Sequence, residues 1–259
     1  MLSYQHIYHA GNPADVQKHA LLAWLLDYMA RKDKAMTYLE SHSGRGLYAL
    51  DAPEAIKTGE AAAGIARMER LFAPDHPYLR CLARVREAYG PQAYPGSPLI
   101  AGLLLRGFDR MHLAELHPRE NAALHEAMEG LRAEIRREDG LKMAVSLTPP
   151  LDKRGVLMID PSYEVKDEYE RIPEVIGQVH RRWSVGVIML WYPILESGSH
   201  VPMLRALQRA HPDALRHEVR FPPVRPGHRM IGSGMFVINP AWGMEEECAR
   251  LDAIFARIA

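Results

Sequence analysis

The sequence predicts an α/β fold built on a seven-stranded sheet, and three observations point to it. Runs of β-forming residues alternate with helical patterns along most of the chain. Gly155–Ile159 (GVLMI) is an uninterrupted apolar run of strand length, as expected of a buried parallel strand. No long helical pattern separates the last two strand candidates, so the final pair is expected to be antiparallel, unlike an all-parallel dinucleotide fold.

Composition sets the bounds. The chain has 259 residues, 47% of them hydrophobic, which is ample for a buried core, and it is read as a single domain over 1–259. Lys plus Arg equals Asp plus Glu at 32 each, so any nucleic-acid surface has to come from local clustering. Cys81 and Cys248 stand in no metal-ligand or redox spacing, and no charged segment followed by an apolar core opens the chain. A reducing cytoplasm is the expected location. The longest apolar runs fall far short of the about 20 residues that span a bilayer, so no membrane is expected as a partner.

Along the chain, Asn12 and Pro13 place an N-cap and a first-turn proline at the head of a helix reaching about residue 31. Val16, Ala20, Leu21, Trp24, Leu25 and Met29 make its apolar stripe, with Lys18 and His19 near the capped end. His6, His9, His19 and Asp15 show no HExxH-type spacing, so no metal is expected. Residues 35–40 read as the first strand, running into Ser41-His42-Ser43-Gly44-Arg45-Gly46. A glycine turn after a first strand lets backbone approach a ligand closely, although a simple tight loop has the same composition.

Residues 50–95 carry helical patterns at 59–72 and 78–89 and are expected to form a small insertion beside the sheet. Tyr94-Pro95-Gly96-Ser97-Pro98 is a turn that opens a helix over 98–106, followed by a strand over 110–116. Glu115 stands at that strand's tip, where a carboxylate suits a ribose diol. A helix over 118–130 and a short strand near 134–137 lead to Asp139-Gly140. This aspartate is placed to accept from an adenine amine, or the pair is only a turn. Gly155–Ile159 follows as the fourth strand, then a helix over 167–182 and a hydrophobic fifth strand over 185–192. A helix near 201–210, strands over 215–221 and 234–239, and a helix from Met244 close the chain.

The apolar fourth strand delivers Asp160-Pro161-Ser162-Tyr163 to its carboxyl end, where open α/β sheets keep their ligands. The N6 of adenine is a poor nucleophile because its lone pair is delocalised into the ring. Two acceptors on one side, the Asp160 carboxylate and the Pro161 carbonyl, would take its N–H bonds and aim the lone pair at a methyl donor. Tyr163 would stack on the base, at about 1–3 kcal/mol per contact. Transfer from a sulfonium donor such as S-adenosylmethionine (SAM) needs neither metal nor covalent intermediate, so Asp160 acts as an orienter that accepts a proton late. Residues 216–229 set Arg216, Arg220, Arg225 and Arg229 against one acid, Glu218. With two histidines and Phe221 they are expected to bind RNA phosphates and unpaired bases, and Lys18, Lys153 and Arg154 to extend the rim.

Several strings are unusual: MLSYxHxxHAGNxADVxKH at 1–19, YLExHSGxGxY at 38–48, KTGE and GIAR within 57–67, and YPGSPLIA at 94–101. AELHP at 114–118, DG at 139, IDPSYE at 159–164, LWYP at 190–193 and GSGMFVINPAW at 232–242 continue the series. Over essentially its whole length the chain resembles the bacterial 23S rRNA adenine-N6-methyltransferases, which act on a single adenosine. The resemblance implies a class I SAM-dependent methyltransferase sheet, Rossmann-like, with a helical insertion after strand one. It implies SAM as donor, S-adenosylhomocysteine as product and no metal. The implied partner is 23S rRNA, protein-free or in an early assembly intermediate, met by a monomer.

Carried over by residue, His19, His42, Ser97, Glu115, Asp139, Gly140 and Asp160 contact SAM, with Gly44 in the glycine turn and Lys18 near the donor's carboxylate. Asp160, Pro161 and Tyr163 form the catalytic tip. The family usually reads Asp-Pro-Pro-Tyr; Ser162 replaces the second proline, which none of the assigned contacts needs. A DNA adenine-N6-methyltransferase would share the tip, but no separate target-recognition domain is visible. A non-catalytic nucleic-acid-binding protein for the use of external DNA would not need Asp160, Tyr163 and Glu115 together. Asn239-Pro240-Ala241-Trp242 is read as structural.

Overall fold

The computed structural model describes residues 5–165, 167–223, 227 and 229–258. In chain order come α1 (Pro13–Ala30), β1 (Thr37–Glu40), β2 (Leu47–Ala49), α2 (Pro53–Thr58), α3 (Glu60–Ala63), α4 (Ile65–Met68), α5 (Pro77–Tyr89) and β3 (Ala93–Pro95). Next are α6 (Ser97–Leu104), β4 (Arg110–Ala114), α7 (Pro118–Ala127), β5 (Glu134–Arg136), α8 (Gly140–Leu147), β6 (Gly155–Ile159) and α9 (Glu168–Arg182). The chain closes with β7 (Val187–Leu195), α10 (Val201–Ala210), β8 (Leu215–Arg220), β9 (Met230–Ile238) and α11 (Met244–Phe255).

Strand residues alternate between two cores, and this alternation makes the three-layer sandwich. Tyr38, Val156, Met158, Val187 and Met189 face the core shared with α1, α5, α6, α7 and α11. Leu39, Leu157, Ile159, Ile188 and Leu190 face the core shared with α8, α9 and α10. All five residues of β6 are buried, which is why that strand shows no polar alternation. The seven strands lie in the order β5-β4-β1-β6-β7-β9-β8. β1, β4, β5, β6 and β7 run parallel, and β9 is antiparallel to both β7 and β8. This order, with the last strand reversed, is the sheet that the resemblance implies.

Three local expectations are corrected by contacts between distant residues, and one open reading is decided by a local cap. Helix α1 is buried on nearly every side and not along one stripe, because it packs against α4, α5, α6, α11 and β9. The single helix expected over 59–72 is broken into α3, α4 and a 3-10 turn (Glu69–Leu71) at Gly64. A Cβ on Gly64 would stand 2.0 Å from the Gly11 carbonyl oxygen, so the break lets this segment lie directly on the backbone before α1. The turn expected at residues 94–98 begins with β3, which pairs with β2 across the whole insertion. Asp139-Gly140 is the start of α8 and not an isolated turn; the Asp139 carboxylate caps it, accepting from Leu141 and Lys142 at 3.0 and 3.2 Å.

Candidate active site

The carboxyl ends of β1, β4 and β6 open into one cavity of about 580 Å3. Lys18, His19, His42, Gly44, Ser97, Glu115, Asp139, Gly140, Asp160, Pro161 and Tyr163 all line it, so the sequence-predicted donor and tip residues are brought together. On the β4 side, Glu115 accepts from the Gly44 and His117 N–H groups at 2.8 and 2.7 Å. Burial pushes its carboxyl upward against those two donors. The other Asp139 oxygen accepts from Arg171 at 2.6 Å. Burial would raise this acid, but Arg171 and the α8 N–H groups hold it below the usual carboxylate range. Between these edges, a Cβ on Gly140 would fall 1.7 Å from the Ser41 carbonyl oxygen, so only glycine lets α8 start against the tip of β1.

Two of the cavity's histidines, His19 and His42, are held neutral. Burial pushes His19 down to about 3, and its Nδ1 lies 2.9 Å from the Tyr94 hydroxyl. His42 is pushed down to about 4 for the same reason, with Nδ1 2.8 Å from the Ser41 hydroxyl. Ser97 donates to Glu40 at 2.5 Å, and the Tyr38 hydroxyl donates to the other Glu40 oxygen at 3.0 Å. Glu40 is fully buried, and burial raises its carboxyl to about 8.

At the β6 tip, Lys18 bridges two carboxylates, with Nζ 2.6 Å from Asp160 Oδ2 and 2.9 Å from Asp15 Oδ1. Burial alone would lower Lys18, but Asp15 and Asp160 raise it above its ordinary value. Asp15 also receives the Gly11 N–H and stands 2.9 Å from His6 Nε2. Burial would raise Asp15, yet His6, Lys18 and His19 bring it well below the usual range. Beside this corner, Tyr163 adopts φ 56°, a left-handed conformation costly for a bulky residue. Its ring lies 4.6 Å from Tyr169, and its hydroxyl donates to the Trp191 carbonyl at 2.8 Å.

The basic rim is more divided than its composition suggests. Arg220 and Arg229 are exposed, whereas Arg216 pairs with Glu218 at 2.7 Å; Arg225 lies outside the described residues. Phe221 and His217 are buried, Phe221 against Phe255 and His217 between Gln17 and Asp252, so neither offers a surface to bases. Lys153 and Arg154 precede β6 at the end opposite Asp160, and Arg154 donates to the Lys34 and Met29 carbonyls. They do not extend the rim, because the length of the strand separates them from the cavity. Among the described residues, no helix is long and apolar enough to cross a membrane.

A family model described as RsmJ, ribosomal RNA large subunit methyltransferase D, RlmJ, matches residues 33–258. The chain belongs to this family. The ribosomal RNA large subunit methyltransferase J of Escherichia coli K12 is 36% identical over 252 residues, 95% of this chain and 90% of that protein. The same-named protein of Haemophilus influenzae Rd is 35% identical over 255 residues, with the same coverage. A crystal structure of a Legionella pneumophila protein superimposes with a TM-score of 0.86 at 32% identity, covering 96% of this chain and 94% of that one.

Around this cavity, sequence reasoning missed Arg171, the bridging role of Lys18, and Glu40, which is buried behind Ser97. Glu40 carried a usable signal, an acid on an otherwise apolar strand. The partner of Arg171 lies 32 residues away and one of the two partners of Lys18 lies 142 away, and only the Asp15–Lys18 half of the bridge has a local spacing.

Proposed function

We propose that this chain is a large-subunit rRNA methyltransferase that uses SAM to methylate the N6 of one adenine in 23S rRNA. The observation that carries the reading is Asp160-Pro161-Ser162-Tyr163 at the end of β6, lining the same cavity as Glu115, Asp139 and His42. The names of the two relatives support the substrate class. The cavity also suits the donor. It is large enough for a nucleoside, it has a carboxylate at the β4 tip, and the Ser43 hydroxyl beside it is buried without a hydrogen-bond partner.

When bound, SAM supplies an electrophilic methyl group. Glu115 accepts from the ribose hydroxyls, Asp139 from the donor's adenine amine, and His19, His42, Gly44, Ser97 and Gly140 complete the wall. Lys18 holds Asp160 through Oδ2, which leaves Oδ1 to accept one N–H of the target amine while the Pro161 carbonyl accepts the other. Both acceptors are fixed before the base arrives, so little reorganisation is needed as charge develops on nitrogen. The amine nitrogen would take the methyl group of bound SAM at this corner, leaving S-adenosylhomocysteine, and Asp160 would take up the proton that the amine loses. Tyr169 packs against Tyr163 with ring centroids 4.6 Å apart, and the adenine would stack on the part of the Tyr163 ring that lines the cavity.

Residues 50–95 act as an insertion within one methyltransferase domain over 1–259. Arg216, Arg220, Arg225 and Arg229 hold the RNA backbone, and the monomer works in the cytoplasm on protein-free rRNA or an early assembly intermediate. The test is transfer of tritiated methyl from SAM to protein-free large-subunit rRNA, assembled ribosomes and naked DNA, with Asp160→Ala beside the native chain. Label is expected on adenine N6 of free rRNA and is expected to fall at least a hundredfold in the variant. Label on DNA alone, or undiminished activity in Asp160→Ala, sinks the reading.

A further inference from the structure

We infer that Arg67, Arg70 and Arg257 form a second phosphate-binding pocket for the RNA backbone, separate from the catalytic cavity. The proposal rests on the rRNA reading above and extends it to a part of the chain with no assigned role. The three arginines line one pocket of about 210 Å3 together with Leu71 and Ile258. Two come from the insertion, Arg67 in α4 and Arg70 in the turn after it; the third follows α11 near the other end of the chain.

Packing forces the three together. Ile65 and Met68 bury one side of α4 and Ile258 is buried beyond α11, so Arg67, Arg70 and Arg257 are left on the outside. The Arg67 guanidinium reaches the Ile258 carbonyl at 3.4 Å and joins the two walls. No carboxylate lines the pocket among the described residues. The acids nearest in sequence are engaged elsewhere: Glu69 pairs with Arg86 at 2.6 Å and Asp252 with His217 at 3.0 Å. Like charges a few ångströms apart repel by about 1 kcal/mol per pair even in water, a cost that an anion shared between them removes.

Location favours RNA phosphate as that anion. The Ile65 N–H donates to the Gly11 carbonyl at 2.8 Å, which fixes α4 against the wall that also carries His9 and Asn12 of the catalytic cavity. On the other side, the ring of Phe255 meets Phe221 at 6.3 Å, one residue beyond Arg220 at the end of β8. The pocket therefore lies between the cavity's N-terminal wall and the end of β8. Guanidinium forks match phosphate oxygens, and the lining has no aromatic ring and no carboxylate with which to read a base. It positions backbone without selecting sequence.

The test is filter binding of protein-free large-subunit rRNA to the full chain across a salt series, with SAM affinity and thermal melting measured in parallel. In the Arg67→Gln, Arg70→Gln, Arg257→Gln triple variant, affinity near 0.1 M salt is expected to fall tenfold or more. The slope of log K against log salt should shrink by about two to three units, SAM affinity should hold, and lysine at all three positions should restore the slope. Should the triple variant fail to fold, Arg257→Gln alone is expected to lower the slope by about one unit. An unchanged slope in a folded variant overturns the pocket, as does a loss that lysine does not repair. A native chain that neither binds nor methylates rRNA fails the parent reading instead.

Discussion

The corner around Asp160 and the arginine-bearing rim hold charge in opposite settings. Lys18 sits 2.6 and 2.9 Å from two carboxylates with a side chain only 5% exposed, while Arg216 meets Glu218 at 2.7 Å with 40% of its side chain in solvent. In the corner, each charge is held because removing its partner strands it away from water. At the rim, water and salt already screen each charge, so the arginines stay available to another molecule. Under the proposed function, chemistry sits where geometry is enforced and RNA recognition where charge is free to be exchanged.

Removing a charge from the corner should have the largest effect. Lys18→Met leaves Asp15 and Asp160 facing each other without their shared cation, and breaking a buried pair costs about 3–5 kcal/mol. A drop in melting temperature of roughly ten degrees together with loss of methyl transfer is expected. A variant that melts like the native chain would show that the bridge contributes nothing.

Glu40 sharpens the comparison through pH. Its folded carboxyl lies near 8 against an ordinary 4.5, so the folded state keeps a proton that the unfolded chain gives up. The stability it contributes is complete below about 4.5 and is lost as pH rises towards 8. Glu40→Gln should therefore gain on the native chain between pH 5 and pH 8, by several degrees in melting temperature. A constant difference across that range would mean that Glu40 folds ionised.

The rim should respond more gently and to salt. Removing Arg220 and Arg229 is expected to lower the salt slope of RNA binding by about one to two units with SAM affinity unchanged. Equal loss of both affinities would refute this division of labour. Arg216→Ala should cost under about 1 kcal/mol of stability, read from chemical denaturation, because its pair with Glu218 is largely solvated.

Much of the fold was legible because its signals are local. The apolar run of β6, the Asn12-Pro13 helix start and the missing helix between β8 and β9 each need only a few neighbouring residues. Helix α8 also had a local signal, since Asp139 stands before Leu141, Met143 and Ala144 at helical spacing; weighing Asp139 only as a ligand acceptor or a turn left it unread. The three-residue strands β2 and β3 had none, because each becomes a strand only by pairing across the insertion.

By itself, the sequence determined the order of the main strands and helices, the reversed last strand, and the acids Glu115, Asp139 and Asp160 at the strand ends; Ser97 and His42 came from the family resemblance. Periodicity and strand ends place residues on faces and tips without knowledge of their partners. Only the tertiary structure decided that Lys18 grips Asp160, that Gly64 breaks a helix to rest on Gly11, that Phe221 is buried, and that Arg67 and Arg70 meet Arg257. Each of these depends on a contact between residues far apart along the chain, and packing settles such contacts only once the whole core has closed.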